Sequence, residues 1–174
     1  MIPSSFPDGY IFVTDLDAID GRGAVIGVDP ITGQQRIIAQ GGLLQYPNGL
    51  AITRDGQLLI ADTSVGIIRV NPETGEQALV ASAGDLRVPG DIAISSDEWL
   101  YVTTRSGGQV IRVHPQNGSQ TVIASGLVNP NGIDIDENGN LIVAEIDGRR
   151  VTRIDPQTGS TTVSPRPYPF ASIR

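Results

Sequence analysis

The chain has 174 residues, 39% of them apolar, and a formal net charge of −7. A chain this acidic repels polyanions instead of releasing their counterions, so nucleic acid is excluded as the expected partner. All twelve basic residues are arginines and there is no cysteine, which excludes Schiff-base chemistry, a thiolate nucleophile, a disulfide framework and a zinc–sulfur site.

No apolar run approaches the about 18 residues of a membrane-spanning helix, so no membrane partner is expected. The start, Met1-Ile2-Pro3-Ser4-Ser5, has neither the basic nor the apolar segment of a signal peptide. The expectation is a soluble protein, either cytoplasmic or secreted after processing.

Along the chain, Asp8-Gly9 is a turn leading into a strand at residues 10–13, Tyr-Ile-Phe-Val. Asp15, Asp17 and Asp20 then read as an acidic loop, and Asp29-Pro30-Ile31-Thr32-Gly33 as a tight turn. Pro47-Asn48-Gly49 opens a complete unit: strand A at 50–52, a turn at Asp55-Gly56, strand B at 58–61, strand C at 67–70, the turn Asn71-Pro72-Glu73-Thr74-Gly75, and strand D at 77–80. The same order recurs after Pro89-Gly90-Asp91, with a B strand at 100–102 and the turn His114-Pro115-Gln116-Asn117-Gly118. It recurs again after Pro130-Asn131-Gly132, with a B strand at 141–143 and the turn Asp155-Pro156-Gln157-Thr158-Gly159.

The turn glycines Gly33, Gly75, Gly118 and Gly159 lie 42, 43 and 41 residues apart, and Pro47, Pro89 and Pro130 lie 42 and 41 apart. Two markers on one beat define a repeat protein with units at about 8–41, 47–84, 89–126 and 130–163. Strands A and B are apolar at consecutive positions and D alternates, so each unit runs from a covered inside to a wet outside. A four-stranded sheet of this size cannot bury both faces alone, so the units must stack face to face and fan radially. The expected fold is all-β, a β-propeller of four repeats in a single domain spanning 1–174, with a linear β-solenoid as the structural rival.

The string Pro-Asn-Gly-Leu-Ala-Ile at 47–52, with Asp-Gly at 55–56, Leu-Leu-Ile-Ala-Asp at 58–62, Ile-Ile-Arg-Val at 67–70 and Asn-Pro-x-Thr-Gly at 71–75, resembles the blades of NHL-repeat, regucalcin/gluconolactonase-like and strictosidine-synthase-like propellers. The resemblance covers about residues 8–163 and implies a blade type; for function it implies hydrolases, a synthase or binding scaffolds.

The first repeat lacks an inner strand. Tyr168-Pro169 and the residues after it echo Tyr46-Pro47, so 168–174 is expected to be a closing strand for the first blade. Four repeats permit a small closed ring, two chains joined in an eight-bladed ring, or part of a larger propeller. A homo-oligomer is the expected assembly.

Antiparallel order places the start of A and the end of B at one end of the blade, the near face, and the A–B and C–D turns at the other. Asn48, Asp91 and Asn131 collect on the near face with Asp15, Asp62, Thr104 and Glu145. Such oxygens serve either as turn makers or as ligands for a hard cation. In the gluconolactonase-like enzymes the asparagine of Pro-Asn-Gly holds a metal, and the resemblance implies that role for Asn48 and Asn131, with Asp91 beside the unmatched Gly90. Asp134 on the fourth A strand is a further candidate, and calcium is the cofactor implied. The glutamate that opens those enzymes has no counterpart here. His114 lies in a turn of the opposite face and reads as solvated, so no catalytic residue is assigned. The expected role is a non-enzymatic scaffold that binds a small-molecule or protein ligand; the competing one is a calcium-dependent lactonase.

Overall fold

The computed structural model describes residues 9–19, 21–82 and 84–164, and among them the chain forms four antiparallel sheets and no helix. The first sheet holds β1 (Ile11–Ile19), β2 (Arg22–Val28) and β3 (Gln35–Gln40). The second holds β4 (Pro47–Ile52), β5 (Leu58–Asp62), β6 (Gly66–Val70) and β7 (Gln77–Ser82). The third holds β8 (Pro89–Ile94), β9 (Leu100–Thr104), β10 (Gln109–Val113) and β11 (Gln120–Ser125). The fourth holds β12 (Pro130–Ile135), β13 (Leu141–Glu145), β14 (Arg150–Ile154) and β15 (Thr161–Val163).

Within every sheet the strands pair in chain order, because each connection is a short turn. The C–D turns share one device. An acceptor on the first turn residue takes the N–H groups two and three residues on: Asp29 Oδ1 from Ile31 and Thr32, Asn71 Oδ1 from Glu73 and Thr74, and Asp155 Oδ1 from Gln157 and Thr158. In the third repeat a histidine takes that place. The Nδ1 of His114 accepts from Gln116 and Asn117 at 3.3 and 3.4 Å.

Three apolar cores lie between successive sheets. Val25, Leu58, Ile60 and Ile68 join the first to the second; Leu59, Ile67, Leu100 and Val102 join the second to the third; Tyr101, Val110, Leu141 and Val143 join the third to the fourth. β5 and β9 are buried at every residue, as strands covered on both faces must be. The inner strands depart from the sequence expectation: β4 and β12 are mostly half-exposed, since they line a groove along the axis instead of being enclosed by neighbouring sheets.

The acidic segment is also not a loop. β1 continues past Asp15 through an irregularity and pairs Ile19 with Arg22, so Asp15 and Asp17 ride on a lengthened hairpin. The expected closing strand at 168–174 falls outside the described residues.

Candidate functional site

In the second, third and fourth sheets the pairs Pro47 with Asp62, Pro89 with Thr104 and Pro130 with Glu145 bring the start of the inner strand and the end of its neighbour to the same edge. Immediately after each proline the register slips, between Pro47 and Gly49, Pro89 and Ile92, and Pro130 and Ile133. Such a bulge re-aims the residues inside it. The slips fall where Asn48, Asp91 and Asn131 sit.

Those three residues line one groove of about 330 Å³, to which Phe12 and Thr14 of the first sheet also contribute. All four sheets therefore meet there. Asp134 does not reach it; with Asp91 it lines the adjoining groove of about 410 Å³ further along the axis, and its Oδ1 accepts the N–H of Ile135 at 2.8 Å.

Asp91 is the centre of the arrangement. Its Oδ1 accepts from Ile92 at 2.9 Å and its Oδ2 from Ile133 of the next sheet at 3.2 Å, and its own N–H donates to Thr103 Oγ1 at 3.0 Å. Burial pushes its carboxyl above the usual range; the two N–H donors pull it back in part, and the charge of Asp134 adds to the rise. On one side Gly49 makes room for it, since a Cβ there would overlap the Asp91 Cα and Oδ1.

The asparagines are positioned by two threonines that sequence reasoning passed over. Thr14 donates to the Asn48 carbonyl and Thr103 to the Asn131 carbonyl, each at 2.5 Å, from the sheet before. The corresponding positions of the other two repeats hold Ala61 and Ala144. That alternation of Thr and Ala in a strand column was the available signal. Asn131 Oδ1 is buried and, unlike its main chain, has no hydrogen-bond partner.

Of the remaining near-face carboxylates, Asp62 and Glu145 are committed to the fold. Asp62 is fully buried and takes four backbone N–H groups, from Gln45 and Tyr46 on Oδ2 and from Ser64 and Val65 on Oδ1. Glu145 accepts from Val128 N, from both Nε and Nη2 of Arg150, and from the Thr152 hydroxyl. Burial pushes its carboxyl up, but the bonds from Arg150, Thr152 and Val128 together with the Arg150 charge outweigh that, and the net effect is downward. Thr104 bonds the Gln109 carbonyl, and Asp15 takes the N–H of Asp17. Among the described residues, no three or more His, Cys, Asp or Glu side chains group so as to hold a metal ion. Asn48, Asp91 and Asn131 bring one carboxylate and two amides to the groove, fewer oxygens than the six to eight of a calcium ion.

No family model and no curated protein matches the chain. Solved structures do. Virginiamycin B lyase from Staphylococcus aureus aligns with a TM-score of 0.66 at 18% identity, over 96% of this chain and 59% of that one. The nidogen/laminin complex aligns at 0.74 and 19%, over 87% of this chain and 57% of that one. A gluconolactonase from Xanthomonas campestris aligns at 0.68 and 21%, over 86% and 60%. The fold is a β-propeller. The chain spans less than two thirds of the length of the structures it matches.

Proposed function

We propose that the protein is a non-catalytic propeller module that holds a polar small molecule or a loop of a protein partner in the groove of Asn48, Asp91 and Asn131. The observation that carries this reading is how the near-face carboxylates are used. Asp62 and Glu145 spend their lone pairs on backbone N–H groups and Arg150, and both oxygens of Asp91 accept N–H groups of their own. A general base needs a lone pair aimed at substrate. Two amides flanking a partly buried carboxylate instead suit directional hydrogen bonding to a bound polar group.

The second reading is the calcium-dependent lactonase, favoured by the partnerless Asn131 Oδ1 in a groove that also holds Asp91 and Asn48. These three residues would hold calcium only with oxygens from water or substrate completing its shell, and the ion would supply polarisation of a carbonyl. The titration of an aldonolactone with and without calcium separates the readings. Proton release at the rate of buffer alone, unchanged in Asn131→Ala, is the expected result. Calcium-dependent turnover that is lost in Asn131→Ala would replace the scaffold with the enzyme. For the binding role, the side-chain amide resonances of Asn48 and Asn131 are expected to shift together when mixtures of polyols and amines are added.

A further inference from the structure

We propose that the uncovered faces of the first and fourth sheets are the two halves of one further sheet-to-sheet junction, and that they meet head to tail between two copies of this chain.

The three internal junctions share an anatomy. Leu58, Leu100 and Leu141 occupy equivalent positions on the faces that receive the preceding sheet, as do Ile60, Val102 and Val143, and all six are 0 or 1% exposed. The equivalents on the first sheet are Ile11 and Val13, which are 51% and 44% exposed. On the opposite faces, Ile67 and Val110 are fully buried beneath the following sheet, whereas their equivalent on the fourth sheet, Val151, is 41% exposed. The four sheets thus present one uncovered receiving face and one uncovered leading face, each a copy of a surface that is mated elsewhere in the chain. Among the described residues, no strand of the fourth sheet packs extensively on a strand of the first.

The turn glycines fix the register of the further junction. A Cβ on Gly75 or Gly159 would come within 2.7 Å of the carbonyl oxygen of Ile38 or Ile123, and one on Gly118 would overlap that of Val80. In each case the carbonyl belongs to the sheet before, and to the residue five places after that sheet's own turn glycine. Gly33 meets nothing within 4 Å. By the same count its counterpart is Ser164, which is exposed just after β15. A polar contact follows the pattern too: Arg69 donates to the Pro115 carbonyl of the next sheet at 3.3 Å, and its equivalent Arg153 has a half-exposed side chain that would address Pro30.

A second copy is the occupant that supplies both faces at once. Two copies joined head to tail make eight sheets and two identical junctions, which close under twofold symmetry at a size within the usual range for propellers.

In the paired copies a Cβ on residue 33 would meet the Ser164 carbonyl, as one on Gly75 or Gly159 meets its counterpart, whereas a Cβ on Gly56 meets nothing within 4 Å. The unmodified protein is expected to sediment at twice the chain mass of 18.4 kDa. Ile11→Asp and Val151→Asp charge the receiving and the leading face at positions exposed in the single chain, and each is expected to sediment as one chain. Gly33→Ala is expected to weaken the dimer about tenfold or more, and Gly56→Ala, with the same left-handed backbone, to leave it unchanged. Sedimentation of the unmodified protein as one chain would overturn the proposal in favour of closure within the chain. A dimer that Ile11→Asp and Val151→Asp leave intact would overturn it as well.

Discussion

Glu145 and Arg150 face each other across the β13–β14 turn, with Oε1 2.8 Å from Nε and Oε2 2.9 Å from Nη2. The carboxylate is buried and the guanidinium about one third exposed, so the pair is a staple anchored from the inside. Arg150→Ala leaves the buried Glu145 charge without its counter-ion, and a clear fall in the urea midpoint is expected. The matched control is Arg54→Ala, which removes an exposed arginine from the A–B turn of the second sheet and is expected to leave the midpoint nearly unchanged.

The pH dependence of this staple follows from the direction of its shift. The Glu145 carboxyl titrates below the ordinary glutamate range in the folded chain, so its contribution is complete above about pH 4.3, the unfolded value, and is lost as pH falls through the lower folded value. Glu145→Gln removes that loss. The difference in stability between the two proteins is therefore expected to shrink on acidification, as read by urea midpoints at successive pH values.

Asp91 has the opposite sign. Its carboxyl is raised by burial, so the folded state holds the proton more tightly than the unfolded chain. Its stability contribution is greatest below the unfolded aspartate value of about 3.9 and declines as pH rises through the folded value. In Asp91→Asn that decline is expected to vanish. Comparing its melting temperature with that of the unmodified protein between the unfolded value and neutrality checks this, and a difference that stayed flat with pH would refute it.

These two carboxylates mark the boundary of what the sequence made legible. The beat of Gly33, Gly75, Gly118 and Gly159 announces repeated turns, because φ near +70° at such a position admits glycine with little cost and few other residues. The antiparallel order of the strands then places Asn48, Asp91 and Asn131 at one end without further information. The partners of a carboxylate are another matter. Asp62 and Glu145 stand in the same column as Thr104 and read as oxygens at a ring mouth, yet the N–H groups that claim Asp62 come in part from Gln45 and Tyr46, 17 and 16 residues earlier, on a connection whose path no local pattern specifies. The half-exposure of β4 and β12 is hidden in the sequence for the same reason: an apolar run shows what a strand could bury, and the neighbouring sheets decide what it does bury.

Asp62→Ala tests that structural role directly. Four backbone N–H groups lose their acceptor in a site with no solvent exposure, and the expected destabilisation is about 3 kcal/mol in urea unfolding. Asp62→Asn keeps one oxygen for two of the four donors and is expected to cost about half as much by the same reasoning. A loss below about 1 kcal/mol in the alanine variant would be that of an ordinary exposed aspartate.

The junction glycines make a matched pair with those of open turns. Gly118 and Gly56 both have positive φ, +67° and +82°, but a Cβ on Gly118 would overlap the Val80 carbonyl whereas one on Gly56 meets nothing within 4 Å. Gly56→Ala is therefore expected to cost about 1 kcal/mol for the left-handed backbone alone. Gly118→Ala carries the same backbone cost and also forces the turn of the third sheet away from β7 of the second, for a total of about 3 kcal/mol. Urea unfolding of the two variants side by side isolates the second effect, because the conformational cost is common to both. Equal losses would mean that the third sheet does not lean on the second through this turn, and the register assigned to Gly33 and Ser164 would lose its template.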